Sequence, residues 1–214
     1  MFVANKMTRN PITIEPDTPV TKAAGIMKSH KINRLPVIDH GKLVGLVSDG
    51  DISRISPSPA TTLSQYEISS LLDRMKVKEI MSKRVIAINE DATLEEAASL
   101  MERNNISGLP VVSSVGAVIG VITARDILRA FINIMGLADG KTRIALAVKD
   151  KVGAMEEIAR ILANDGVNID SLVTYKEDAT DYEIVIRGDF PDLAKSVSQL
   201  ESQGYKVVHT VEIR

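Results

Sequence analysis

The sequence predicts an α+β protein in two parts: a pair of like-folded units related by a pseudo-twofold axis, then a smaller βαββαβ domain. Three observations point to this. Residues 7–14 (M-T-R-N-P-I-T-I) are matched by residues 81–88 (M-S-K-R-V-I-A-I), 74 positions on, and the match continues through Asp17/Asp91, Met27/Met101 and Leu35-Pro36-Val37/Leu109-Pro110-Val111. Each copy then closes on an apolar run ending in Ser or Thr with Asp three residues later: G-L-V-S-D-G-D at 45–51 and G-V-I-T-A-R-D at 120–126, the offset having grown to 75 near Gly116. Beyond Gly140 the pattern changes to one with no internal copy. Two repeats are too few for a solenoid, so their apolar faces are expected to bury each other.

In the first repeat Ile12-Thr13-Ile14 reads as a short strand. Asp17, Thr18 and Pro19 place a capping residue and a proline at a helix start. Val20, Ala23, Ala24 and Met27 then have the i, i+3, i+4, i+7 spacing of a buried helical stripe. Pro36 to Asp39 reads as a strand, His40-Gly41 as a turn, and the apolar run 43–47 as a strand covered on both faces. The second repeat follows the same order, with a helix opening at Thr93-Leu94 and running through Leu100 and Met101. Between the repeats, Ser56-Pro57-Ser58-Pro59 is hostile to helix. Residues 62–75 then resume as an amphipathic helix with Ile68, Leu71, Leu72 and Met75 on one side. The repeats are therefore placed at 1–54 and 77–135, with the connector and extra helix at 55–76.

A helix from Ile127 to Met135 leads to a linker at 136–141. Ile144, Leu146 and Val148 alternate as a half-buried strand. Met155, Ile158, Ala159 and Leu162 form a helical stripe closed by Asp165-Gly166. Strands over 168–175 and 182–187, joined by a polar turn, precede a helix over 192–202 and a last strand over 205–211. Residues 142–214 thus read as the ferredoxin-like order βαββαβ.

With 44% apolar and 25% charged residues, the chain has the balance of an ordinary globular protein. A net charge of −2 gives no footprint for nucleic acid or an anionic membrane. The absence of cysteine excludes disulfides, thiolate nucleophiles and zinc–thiolate sites, as suits a reducing compartment. The first ten residues lack the apolar core of a signal peptide, and no apolar run approaches the ~20 residues of a membrane span, so a cytoplasmic location is expected. His30, His40 and His209 have no metal-ligand spacing, and no nucleophile-elbow, Walker or dinucleotide-binding motif occurs. Glu95-Glu96 and Glu156-Glu157 are neighbours on predicted helices and point apart, so they do not form an acid/base pair. Enzyme activity is not expected.

The repeated S/T-x-x-D has two readings. As a capping box, Ser48 or Thr123 takes a free amide proton at the helix start and Asp51 or Asp126 reaches back from the third helical position. Alternatively those amides and hydroxyls receive a ligand phosphate, with the carboxylate accepting from a ribose diol. The L-P-V strand and the G-h-h-[S/T]-x-x-D ending, present twice, resemble the cystathionine-β-synthase (CBS) domain, a tandem pair of which forms a Bateman module. D-x-x-G at 150–153 and G-V-N-I at 166–169 look like an ACT domain. The order CBS–CBS–ACT at this length is similar to the acetoin-utilisation protein AcuB family.

The resemblance implies a ligand-sensing regulatory protein. An adenosine nucleotide (AMP, ADP or ATP) would bind in clefts of the CBS pair, and an amino acid could bind the ACT domain. It places Thr123, Asp126 and Arg125 on the ribose and phosphates of one site, with Ile86, Ile106 and Gly108 beside the adenine. The other site would use Ser48 and Asp51, with Ile12 and Ile32 beside the base and Arg34 near the phosphates. Gly50 stands where Arg125 stands, so the Arg125 site is expected to bind tighter. In the ACT unit Asp150, Gly153 and Asn168 are the candidate contacts. Further implications are a homodimer and a regulated partner in acetoin or acetate metabolism, with an assembly module of vestigial clefts as the rival reading.

Overall fold

Residues 1–55, 65–137, 141–176 and 181–212 are described in a computed structural model of the chain. Two units divide the chain, Met1–Ile127 and Leu128–Arg214. The first holds the first repeat and the second as far as Ile127. After a 3₁₀ turn at Val3–Asn5 come β1 (Thr8–Arg9), α1 (Val20–His30), β2 (Arg34–Asp39), β3 (Lys42–Ser48) and α2 (Asp49–Ile55). Two further helices, α3 (Gln65–Arg74) and α4 (Val77–Ile80), precede β4 (Ile88–Asn89), α5 (Leu94–Arg103), β5 (Gly108–Val112), β6 (Val118–Thr123) and α6 (Ala124–Ile134). The division into units falls inside α6, which runs unbroken to Ile134, ahead of the stretch expected as a linker.

The duplicated order is visible element by element. β2 and β3 form an antiparallel hairpin closed by His40 and Gly41, both at positive φ (46° and 79°), as a two-residue turn between twisted strands requires. β5 and β6 pair in the same way. Val3, Ala23, Leu35, Val37 and Val47 are fully buried in the first repeat, as are their counterparts Val77, Ala97, Leu109, Val111 and Ile122 in the second. The α5 cap follows expectation: Thr93 Oγ1 accepts from the Glu96 amide at 3.1 Å, and Glu96 accepts from the Thr93 amide at 2.7 Å.

Two expectations need correcting. Ile12 to Ile14 do not make a strand; only Ile14 bridges Val37, in parallel, while the strand here is β1, before Pro11. Asp17 and Thr18 do not cap α1. Asp17 pairs with Lys78 at 2.6 Å, and the Thr18 carbonyl accepts the Val77 amide at 2.9 Å, so both are spent on docking α4. The Ser-Pro connector lies outside the described residues, as do the Ile68 and Leu71 side chains of the stripe expected on α3.

The repeats exchange their leading segments. β1 of the first pairs antiparallel with β6 of the second, Thr8 opposite Val121 and Arg9 opposite Gly120. Reciprocally, Ser82 bridges Leu46 of β3, with amide-to-carbonyl distances of 2.9 and 3.1 Å. Met7 lies over Gly120 and Met81 over Gly45, so tightly that a Cβ on either glycine would collide with the methionine sulfur. This exchange decides which walls of the two repeats meet.

In the second unit β7 (Thr142–Lys149), α7 (Ala154–Asn164), β8 (Asn168–Lys176), β9 (Asp181–Asp189), α8 (Leu193–Ser202) and β10 (Lys206–Val211) give the expected βαββαβ order. The sheet runs β10-β7-β9-β8 with antiparallel pairing throughout. Ile144, Leu146, Ile158, Leu162, Ile186 and Leu200 are fully buried at its centre. No helix among the described residues is long and apolar enough to cross a membrane.

Candidate functional site

Each repeat ends by turning from a strand directly into a helix, β3 into α2 and β6 into α6, and the S/T-x-x-D motif sits on that turn. Both copies form the capping box. Asp51 accepts from the Ser48 amide at 2.8 Å and hydroxyl at 2.6 Å, and Ser48 Oγ lies 3.3 Å from the Asp51 amide. In the second copy the Asp126 carboxylate accepts from the Thr123 amide at 2.9 Å and hydroxyl at 2.6 Å, and the Asp126 amide donates to Thr123 Oγ1 at 3.3 Å. The copies differ in exposure. Asp51 is buried and its other oxygen is held by Arg54, whereas Asp126 is half-buried.

Beside Thr123 opens a cavity of about 660 Å³, walled by Ile12, Ile32 and Arg34 of the first repeat and by Ser107, Thr123 and Arg125 of the second. The sequence had grouped Ile12, Ile32 and Arg34 with Ser48 and Asp51. The exchange of leading segments puts them opposite the Thr123 turn instead. Matching positions along the chain identifies equivalents; it does not say which equivalents face each other.

Arg34 crosses from one repeat to the other and donates to Ser107 Oγ at 2.6 Å. It lies against Gly108, where an added Cβ would stand 2.5 Å from the guanidinium and 3.1 Å from the Ile122 carbonyl. Gly108 therefore leaves room for an arginine, a role different from the adenine contact expected of it. Burial lowers the Arg34 pKa from its ordinary value, although an arginine remains charged. Among the described residues no carboxylate pairs with Arg34 or with Arg125. Arg34 and Arg125 thus line one cleft together with the apolar Ile12 and Ile32, an arrangement suited to an anion carrying a flat apolar ring.

Ile106 lines a different cavity, of about 650 Å³, with Ala98, Met101 and Ile127. Ile86 is half-buried ahead of β4. His30, Lys31, Asn10 and Ser107 also line the Thr123 cleft and were not singled out from the sequence. His30 and Lys31 sit where α1 ends, outside any periodic pattern. In the second unit, Asp150 is exposed in the β7–α7 turn, and Gly153, at φ 88°, precedes α7 without a side-chain cap. Asn168 opens β8 and donates to Asp170 at 3.2 Å. Two cavities of this unit, of about 260 and 540 Å³, are lined by none of these three. No group of three or more His, Asp or Glu among the described residues could hold a metal ion.

Two strand–helix repeats joined by exchanged leading segments around a shared cleft define a class of duplicated modules. The model of the CBS domain matches residues 3–58 and 77–133, and the chain belongs to the CBS-domain family. Among solved structures it is similar to the CBS domain pair of protein MJ0100 in complex with 5′-methylthioadenosine and S-adenosyl-L-methionine. The two share 34% identity at a TM-score of 0.51, over 62% of this chain and 97% of that one. It is similar to CBSX2 in complex with AMP at 30% identity and a TM-score of 0.52, over 62% and 97% of the two chains. A protein named as acetoin utilization protein (AcuB) from Vibrio cholerae matches at 29% identity and a TM-score of 0.53, over 65% of this chain and 96% of that one. Two curated relatives, both enzymes of Methanocaldococcus jannaschii, match at 35% and 34% identity, but the chain spans only 23% and 25% of their length.

Proposed function

We propose that the chain is a non-catalytic regulatory protein that binds an adenosine nucleotide (AMP, ADP or ATP) in the cleft between its CBS repeats. The observation that carries this reading is the cavity joining Ile12, Ile32 and Arg34 to Thr123 and Arg125. Ile12 and Ile32 would sandwich the base, and Arg34 and Arg125 would take the phosphates. The Thr123 hydroxyl would turn from Asp126 to a phosphate oxygen, and Asp126 would accept from the ribose diol in its place. Ser48, Asp51, Ile86 and Ile106 would serve the pseudo-related cleft. The likeness to CBS pairs in complex with AMP and with S-adenosyl-L-methionine supports the ligand class.

Occupancy would regulate a partner only where the ligand binds one packing of the module more tightly than another. The βαββαβ order supports reading residues 142–214 as an ACT-like domain that dimerises or binds an amino acid through Asp150, Gly153 and Asn168. The likeness to the Vibrio cholerae protein supports a partner in acetoin or acetate metabolism, and a cytoplasmic location is part of the same reading. Calorimetric titration with AMP, ADP, ATP and S-adenosyl-L-methionine tests the reading. Binding should occur and weaken about tenfold in Thr123→Ala, the loss of one charge-assisted hydrogen bond. The engagement of Asp51 and Asp126 with their own helix ends favours a second reading, an assembly module with vestigial clefts; absence of heat with all four ligands would establish it.

A further inference from the structure

We infer that the Thr123 cleft selects a nucleoside polyphosphate, with His30 and Lys31 as the residues that distinguish a phosphate chain from a single phosphate. This rests on the nucleotide reading above and goes beyond it by naming the charge of the ligand. His30, Lys31, Arg34 and Arg125 line the cleft, and no Asp or Glu is among its walls. The internal repeat supplies a control within the same chain. At the matching positions stand Asn104, Asn105, Gly108 and Gly50, all neutral. Two further walls differ in ways that cancel: Asn10 is matched by Arg84 and Ala124 by Asp49. With histidine counted neutral, Lys31, Arg34 and Arg125 give the Thr123 cleft three positive charges, whereas Arg84 and Asp49 leave the matching set at zero. Asp126 beside the first is matched by Asp51 beside the second and leaves the difference unchanged.

AMP has one phosphate for Arg34 and Arg125 to share. Lys31 closes α1 in the left-handed conformation, φ 54°, on the first-repeat wall that also carries Arg34. A second and third phosphate would bring more negative charge into a concave cationic site, where like-signed walls reinforce one another. The sulfonium of S-adenosyl-L-methionine would meet the same walls with the wrong sign.

The test is calorimetry on the full chain and on a His30→Asn/Lys31→Asn double variant, using AMP, ADP, ATP and S-adenosyl-L-methionine as probes. Asparagine is the substitution of choice because Asn105 already holds the matching backbone position at φ 50°. The expected Kd order is ATP below ADP below AMP, with about tenfold or more between ATP and AMP at low salt and a smaller gap at high salt. The double variant should weaken ATP about tenfold and AMP less than about threefold, with an unchanged melting temperature. AMP binding as tightly as ATP, S-adenosyl-L-methionine binding tighter than ATP, or equal losses for AMP and ATP in the variant would each overturn the inference while leaving the nucleotide site standing. Silence with every probe would remove both.

Discussion

Leu35 and Leu109, at matching positions of the two repeats, are both fully buried, whereas their immediate neighbours Arg34 and Gly108 have nothing chemical in common. The same contrast recurs at the other end of the unit. Ser48 and Thr123 make the same three hydrogen bonds with an aspartate, while two residues on, Gly50 is matched by Arg125. Core positions resist change because a close-packed interior registers the loss of a single methylene. A cleft wall faces water or ligand on one side, so side chains there can be exchanged at little cost in stability. The duplication has kept its architecture and separated its chemistry.

The equivalence of the scaffolds is open to direct attack. Leu35→Ala and Leu109→Ala should each destabilise the first unit by about 2–5 kcal/mol, the range for large-to-small substitutions in a core. Urea unfolding should give similar costs for the two; a gap of more than about 2 kcal/mol would mean that one repeat is the stronger scaffold. Ser48→Ala and Thr123→Ala sharpen the comparison at lower energy. Each removes a helix cap and should cost about 1 kcal/mol of stability. Thr123→Ala should also weaken ATP binding far more than Ser48→Ala does, so equal losses of binding in both variants would refute the asymmetry of the clefts.

The smallest effect expected lies in the second unit, which has no twin. The Tyr205 hydroxyl donates to Glu157 at 2.5 Å and Lys151 donates to the same oxygen at 3.0 Å, holding the Glu157 pKa below its ordinary value. Burial, and then this bond, raise the Tyr205 pKa. Because the Glu157 pKa is depressed on folding, its contribution is present above the unfolded carboxyl pKa and fades as pH falls through the folded value. Because the Tyr205 pKa is raised, its contribution is present below the unfolded phenol pKa and fades at higher pH. Tyr205→Phe should flatten both limbs of the stability–pH curve measured by thermal melting; a curve unchanged at its acid end would exclude the Glu157 bond.

Much of the fold was legible because it rests on local patterns. The helical stripe Val20, Ala23, Ala24 and Met27 and the alternation of Ile144, Leu146 and Val148 are properties of nearby residues, and all are buried except the half-buried Ala24. The cap at Thr93 was readable for the same reason. Asp17 was misread because Lys78, 61 positions away, competes for its carboxylate. The candidate site was half legible: Thr123, Arg125, Ile12, Ile32 and Arg34 were all named, but they were divided between two sites. Their union depends on β1 crossing to β6, a pairing between residues about 110 positions apart that leaves no trace in either segment alone.

That crossing has a consequence for how the protein comes into being. The first half carries a border strand of the second, and the second a bridging residue of the first, so a ribosome that has released only the first repeat has made a β3 edge still waiting for Ser82, with β1 itself unpaired. Such borders invite mispairing with other chains until the complement emerges. Closure over so long a loop is entropically late, which favours slow but cooperative assembly. Neither half is an independent building block, and the shared cleft comes into existence only when both are complete.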